Sequence, residues 1–267
     1  MRTICRVLPI VGVVFASCLC AHAVTLDMSF DADVKVTSAY LWRGSVISDD
    51  WCIQPSLTAS GKGVSLYLWG TWDLTGATNG SERTRMDADL SYTYEYKKLM
   101  MRGGFIGYVY KDSLVTAWQK DTFEAYIGCD VDVPTFPSWT LYYDFGEIEG
   151  FYTTIGLRHS FPLDNGKGWA YALDMRADLG AADENYNDKR FSLPFDAAAG
   201  ELPYEPRASL VDFTGTISLP ISIGEHFTLT PAVKYMALID AKIKEAVENA
   251  GQDTEGSAYS VTIGASF

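Results

Sequence analysis

Acidic side chains recur at every second position in parts of this chain. Within residues 85–96, Asp87, Asp89 and Glu95 occupy odd positions, whereas even positions such as Leu90 are apolar or aromatic. A β-strand directs alternate residues to opposite faces, so this segment has one charged face and one apolar face. Charges gathered on one face of a sheet could line a solute pathway or neutralise one another.

The same alternation assigns charged residues to one face throughout the chain, the predicted interior of a barrel. These candidates for a lumen lining are Asp33, Lys35, Arg43, Asp73, Asp87, Asp89, Glu95, Arg102, Glu124, Asp144, Arg158, Asp174, Arg176, Asp178, Asp212 and Lys234. A charge facing lipid at the middle of a bilayer costs about 2–4 kcal/mol, which excludes the opposite assignment. Two interpretations remain open, a charged pore and a salt-bridge network that fills a narrow lumen. Acids outnumber bases, so a pore is expected to prefer cations modestly.

Hydrolytic chemistry has little support in the sequence. It requires a nucleophile beside a base, or a metal-activated water. His159 and His226 are the only histidines beyond the first 23 residues. Ser160 follows His159 directly, but adjacent strand residues point apart. No Gly-x-Ser-x-Gly elbow or metal-ligand spacing is present, so we expect no catalytic residue, no metal and no cofactor. A lipid hydrolase, with a neighbouring strand supplying a partner to His159, remains an alternative.

Twelve segments alternate in this way and end at Gly, Asn, Asp or Ser. They are predicted strands at 32–43, 52–60, 63–73, 84–96, 99–110, 116–129, 138–146, 151–161, 168–180, 208–219, 226–238 and 257–267. Most approach the roughly 9–11 residues of a tilted membrane strand. The sequence therefore predicts an all-β fold, a transmembrane antiparallel up-and-down β-barrel of about twelve strands.

The lengths of the connections support a membrane barrel. When the connections between the predicted strands are numbered along the chain, the even-numbered connections are short. The two longest connections, 181–207 and 239–256, are odd-numbered. Outer-membrane barrels have short periplasmic turns and long outer loops. We therefore expect both termini on the periplasmic side.

The first 23 residues are predicted to be a cleaved signal peptide, with the barrel formed by 24–267. Arg2 and Arg6 precede an apolar run over 7–19, which is followed by the small-x-small sequence Ala21-His22-Ala23. Cleavage before Cys18, as in a lipoprotein, is the alternative. The net charge of −13 argues against nucleic acid as a partner. Cys52 and Cys129 are expected near opposite rims, and therefore unpaired.

Two short motifs resemble sequences found in bacterial outer-membrane proteins. The C-terminal alternation from Tyr259 to Phe267 resembles the signal that the barrel assembly machinery recognises in bacterial outer-membrane proteins. Residues 36–44, Val-Thr-Ser-Ala-Tyr-Leu-Trp-Arg-Gly, are similar to the opening strand of a family of uncharacterised bacterial outer-membrane β-barrel proteins. That family has an N-terminal Tyr-x-x-Arg-Gly strand and an aromatic C-terminus. The resemblance implies the fold and the bacterial outer membrane, and it implies no particular activity.

The two long loops leave other roles open. The acidic loop 181–207 is expected to be a solvated loop, with divalent-cation binding as an alternative, and 239–250 is expected to form a short helix. We predict a narrow porin-like channel for small solutes or a structural surface barrel, in contact with outer-membrane lipid. The binding alternative is a surface adhesin or receptor that acts through the acidic outer loops.

Overall fold

A computed structural model describes residues 28–74, 84–111, 121–163, 170–191 and 205–267. Its strands and helices are β1 (Ser29–Thr37), β2 (Tyr40–Trp42), β3 (Ser45–Ser48), β4 (Cys52–Gly61), β5 (Val64–Asp73), β6 (Thr84–Tyr96), β7 (Leu99–Lys111), β8 (Thr122–Val131), β9 (Ser138–Asp144), β10 (Phe151–Pro162), β11 (Ala172–Ala182), α1 (Glu184–Phe191), β12 (Ser209–Ser218), β13 (Ile221–Ile223), β14 (Phe227–Leu238), α2 (Ala241–Asn249) and β15 (Glu255–Ser266). The expected signal peptide 1–23, part of the strands expected at 116–129 and 168–180, and part of the loop 181–207 lie outside the described residues.

The wall is a closed antiparallel barrel of twelve strand positions. Each strand from β4 to β12 pairs with its neighbour in sequence, β12 pairs with β14, and β14 pairs with β15. The short β13 continues beyond β12 along β14. The last strand, β15, pairs with β1, which pairs in turn with β4. The predicted antiparallel barrel of about twelve strands is confirmed.

The final residue closes the seam between the first and last strands. Backbone hydrogen bonds join Phe267 to Phe30 in both directions, at 2.9 and 3.0 Å. Phe267 and Tyr259, the proposed assembly-signal residues, both direct exposed rings outward, and the ring of Phe267 stacks on that of His226.

The outer surface of the barrel is apolar. Leu90, Phe105, Ile127 and Ile155 are each more than half exposed, and they lie on strand faces opposite the charged positions. A contiguous exposed apolar surface far exceeds what a water-soluble monomer tolerates, whereas it matches the hydrocarbon of a bilayer. Neither helix in the described part of the chain is long and apolar enough to cross a membrane.

The connections are sorted between the two ends of the barrel. We call the end with the turns 62–63, 97–98 and 224–226 the turn rim, and the end with the connections 38–51 and 239–254 the loop rim. Lys62 and Gly63 both have positive φ angles, 52° and 84°, as a two-residue type I′ hairpin turn requires. This turn lies one residue later than the interval 61–62 between the predicted strands 52–60 and 63–73.

The first predicted strand, 32–43, is wrong in its second half. The wall strand β1 ends at Thr37, which pairs with Cys52. At the end of β1, Thr37 Oγ1 donates to the carbonyl of Ala39 and the Ser38 hydroxyl accepts the amide of Tyr259. The chain then leaves the wall as a separate two-stranded sheet, the β2–β3 hairpin.

The loop rim contains both helices. The helix expected within 239–250 is confirmed as α2, whereas α1 lies where a solvated loop was expected. Tyr186 and Phe191 of α1 are buried in one apolar cluster with Ile243 and Val247 of α2. The expectation of a solvated loop is therefore wrong for 184–191.

Candidate channel lumen

The β2–β3 hairpin lies inside the barrel, because both of its faces are buried. One face packs Leu41 against Met236 of β14 and Ala258 of β15. The other face packs Tyr40 in a cluster with Cys52 of β4, and the ring of Tyr40 lies 5.5 Å from that of Trp69 on β5. The side chains of the hairpin alternate between two buried faces, just as those of a wall strand alternate between the outer and the inner face of the barrel.

The tip of the hairpin is the dipeptide Arg43-Gly44, with φ angles of 44° and 79°. These angles correspond to a type I′ turn, in which a β-carbon at the second position is unfavourable. The tip packs tightly against the wall, because a Cβ at Gly44 would lie 2.7 Å from the Leu238 side chain and 3.3 Å from that of Asp212. The hairpin therefore contacts β12 and β14 on one side of the barrel.

The Arg43 side chain reaches the opposite wall. Its two terminal nitrogens donate to the two carboxylate oxygens of Glu124 on β8, at 2.6 and 2.8 Å. The hydroxyl of Tyr108 on β7 donates to the same carboxylate at 2.7 Å. Both charged side chains are almost completely buried. Because β8 and β12 lie on different sides of the closed sheet, the hairpin crosses the lumen.

Aromatic rings surround the guanidinium groups at this level. Arg43 lies 4.5 Å from the ring centres of Tyr142 and Tyr152. Arg85 on β6 lies 4.1 Å from the ring centre of Trp42 in the hairpin. Stacking of Arg on desolvated rings contributes roughly 2 kcal/mol or more per contact, so these contacts fix the hairpin in place.

Arg85 was missed in the sequence analysis, although its spacing from Asp87 places both residues on one face. It is buried and donates two hydrogen bonds to Asp87, at 2.6 and 2.7 Å. Arg190 was also missed, because α1 was not expected. Its guanidinium lies 4.6 Å from the ring centre of Trp42.

Helix α1 covers the hairpin from the loop rim. The Tyr186 ring stacks on Tyr152 at 5.3 Å, and the Tyr186 hydroxyl accepts a hydrogen bond from Arg43 at 3.3 Å. Arg190 donates to the backbone carbonyl of Trp42 at 3.5 Å. The hairpin and α1 thus form two layers across this end of the barrel.

The other sequence-predicted acids at the loop rim have local partners on the inner face. Asp144 accepts the Thr122 hydroxyl at 2.8 Å, and Asp212 accepts the Tyr152 hydroxyl at 2.9 Å. Asp73, the last residue of β5, accepts the Cys52 thiol at 3.1 Å. Cys52 and Cys129 are both free thiols.

The half of the inner face nearer the turn rim differs, because its charged side chains reach solvent. Glu95, Arg102 and Arg158 are exposed although they lie on the charged faces of β6, β7 and β10. The side chain of Arg176 remains 49% exposed while it pairs with Asp178 at 2.7 Å. Water therefore enters the lumen from the turn rim.

Five more predicted positions lie on the inner face between the two ends. Asp89 accepts the Tyr126 hydroxyl at 3.0 Å, and Asp33 accepts the Ser56 hydroxyl at 3.4 Å. One oxygen of Asp174 is buried with no hydrogen-bond partner among the described residues. Lys35 and Lys234 line a cavity of about 270 Å³ next to the hairpin.

The two histidines show no catalytic arrangement. The Nδ1 atom of His159 contacts the carbonyl of Pro134, and that of His226 contacts the carbonyl of Ser266 at 2.9 Å. Within the described ranges no group of three or more His, Cys, Asp or Glu side chains could hold a metal ion. The expected absence of enzymatic activity and of a cofactor stays a prediction.

Comparisons with known proteins give structural similarities only. No family model and no curated protein matches the chain. The KdgM porin is similar at 13% identity over 90% of this chain and 99% of that chain, with a TM-score of 0.49. The NanC porin is similar at 10% identity over 89% and 98%, with a TM-score of 0.47. The COG4313 outer-membrane channel from Pseudomonas putida F1 has 8% identity over 92% and 97%, with a TM-score of 0.42. These TM-scores lie below 0.5, so the assignment of the fold rests on the strand pairing of the chain itself.

Proposed function

We propose that this chain is a bacterial outer-membrane channel for small hydrophilic solutes, narrowed by its own β2–β3 hairpin. The observation that carries the proposal is the division of the lumen into two halves. Charged side chains such as Arg102 and Arg158 are exposed to solvent inside the wall, whereas Arg43 and Glu124 are buried where the hairpin crosses. A purely structural barrel has no need of a solvated, charged half.

The number of strands is consistent with a narrow channel. Barrels of eight strands are filled by their side chains, and those of about sixteen hold open aqueous channels. Twelve positions lie between these limits, so one in-folded hairpin is enough to limit passage.

The proposed topology places the loop rim outside the cell, and the turn rim and both chain termini in the periplasm. Short turns at one rim and long connections at the other support this orientation. The same proposal includes export by a cleaved signal peptide over 1–23, insertion by the barrel assembly machinery, a surround of outer-membrane lipid and the absence of catalysis. In this topology the exposed lumen charges Glu95, Arg102 and Arg158 contact the solute in the periplasmic half.

Conductance of the purified protein in planar bilayers tests the proposal. We expect discrete unitary steps that are small for a twelve-stranded pore, because the hairpin crosses the lumen. A salt gradient should give a modest preference for cations, because acids outnumber bases on the inner face. Insertion is checked independently by the heat-dependent shift of the folded barrel in gel electrophoresis. Inserted protein that never conducts would refute the proposed channel. Clear anion selectivity would refute the prediction that the acidic inner face makes the pore prefer cations.

A further inference from the structure

The cavity of about 270 Å³ beside the hairpin is lined by Lys35 of β1, Lys234 of β14, and the side chains of Gln54, Tyr67 and Ser260. We call it the lysine cavity. Its volume lies just below the roughly 300–1,000 Å³ of typical small-molecule sites. A ligand of only a few heavy atoms therefore fits.

Lys234 is fixed in position but is not neutralised. Its ammonium donates to the backbone carbonyl of Leu41 in the hairpin at 2.8 Å. An ammonium group has three donors, so this bond leaves two for another acceptor. Asp212 and Asp178 attract Lys234 through space, but they already accept hydrogen bonds from Tyr152 and Arg176, respectively.

Lys35 lies in the same cavity and repels Lys234. No hydrogen bond or ion pair to Lys35 is present among residues 28–74, 84–111, 121–163, 170–191 and 205–267. Asp87 also lines the cavity, but both of its oxygens are engaged by Arg85. The described lining thus has two ammonium groups without a bonded counter-charge.

Charges removed from bulk water are normally paired, and two like charges in one cavity repel each other. A small anion removes this repulsion. Gln54, Tyr67 and Ser260 line the same space. The Gln54 amide donates one N–H to Thr71 at 3.3 Å and keeps a second, and the two hydroxyl groups are further neutral donors for the remaining lone pairs of an anion.

We propose that the lysine cavity is a binding site for one small carboxylate anion, held between Lys35 and Lys234. The proposal rests on the proposed function in one respect, that small solutes enter the lumen, whereas binding itself requires no conduction. A carboxylate site beside the crossing hairpin gives a locally attractive position for small organic acids in a lumen that is acidic as a whole.

Saturation-transfer difference NMR on the full barrel in deuterated detergent micelles tests this site. Lactate is the probe, and propane-1,2-diol, which has nearly the same size without the charge, is the neutral control. Replacing Lys35 by Met should weaken lactate binding about tenfold, because one charge-assisted contact is lost. The matched variant Lys242→Met, on the exposed face of α2, removes the same charge and should bind lactate as the wild type does.

Two further comparisons make the outcome decisive. Lys35→Arg should retain lactate binding within about threefold, since it keeps the cation. Equal lactate binding by Lys35→Met and the wild type, or equal binding of lactate and the diol, would overturn the site. If the wild type binds lactate but never conducts, the proposed function is refuted and this site stands. If the wild type conducts but does not bind lactate, this site is refuted and the proposed function stands.

Discussion

At the scale of single residues, Arg43 and Glu124 form the contact that holds the hairpin across the lumen. The two side chains come from positions 81 residues apart, so no local pattern in the sequence predicts their pairing. Alternation does place Glu124 and Arg102 on the same face as the other charges, because only one face of each strand can meet lipid. Which of these charges pair and which stay solvated depends on the hairpin, and the sequence analysis left both interpretations open.

Replacing Glu124 by Gln should destabilise the barrel strongly. The change leaves the buried Arg43 guanidinium without its counter-charge, and breaking one partner of a buried ion pair costs about 3–5 kcal/mol. The measurement is the free energy of unfolding in urea from lipid vesicles, followed by tryptophan fluorescence.

Glu95→Gln is the matched control, because it makes the same chemical change at an exposed position of the inner face. We expect it to stay within about 0.5 kcal/mol of the wild type. The double variant Arg43→Met, Glu124→Leu should recover part of the loss, since apolar groups can replace a buried ion pair but leave the Tyr108 hydroxyl without its acceptor. Equal stability of Glu124→Gln and Glu95→Gln contradicts the role given to this pair.

At the scale of elements, the wall strands were predictable and the structures inside the loop rim were only partly so. Wall strands alternate because lipid and lumen lie on opposite sides. The β2–β3 hairpin alternates for another reason, the burial of both of its faces, and Tyr40-Leu41-Trp42 therefore resembled the continuation of β1. Helix α1 contains Asn185, Asn187 and Asp188, which have low helix propensity. The helix is stabilised by the burial of Tyr186 and Phe191, which depends on tertiary contacts.

Helix α2 has a strong N-cap that can be tested separately. Asp240 accepts the backbone amides of Lys242 and Ile243 at 2.8 and 3.2 Å, and Arg207 donates to its other oxygen at 3.0 Å. Asp240→Ala should cost about 1 kcal/mol and increase hydrogen exchange at these two amides. Asp253→Ala, an exposed loop change of the same charge, should leave their exchange unaltered. Unchanged exchange in Asp240→Ala would show that the cap does not hold the helix start.

The pH dependence of this cap follows from the charge of Asp240. Burial alone would raise the pKa of the carboxyl, but the hydrogen bonds from Arg207 and the two amides outweigh it and lower the pKa below its ordinary value. A carboxyl whose folded pKa is depressed contributes stability above its unfolded pKa of about 3.9. That contribution is lost as the pH falls through the folded pKa. Protection of the α2 amides should therefore persist at pH 5 and decrease only in stronger acid.

At the scale of the whole molecule, the barrel has an apolar exterior, a solvated inner half and an inner half narrowed by the hairpin and α1. The sequence predicted the exterior and the sorting of connections, because both follow from the bilayer, and it predicted the number of strands from the number of alternating segments. It did not predict the layer across the loop rim, because the tip Arg43-Gly44 lacks the usual Asn-Gly or Asp-Gly signal of a tight hairpin turn. The hairpin is the feature that narrows the lumen of this twelve-stranded barrel.

The most direct test of this account compares the unitary conductance of the wild type with that of a variant lacking the hairpin. Thr37 pairs directly with Cys52, so residues 38–51 can be replaced by a short Asn-Gly turn without breaking the wall. We predict small steps for the wild type and steps several times larger for the variant, with both proteins inserted as folded barrels. Equal conductance in the two proteins, or none in either, would contradict a channel that is narrowed by its own hairpin.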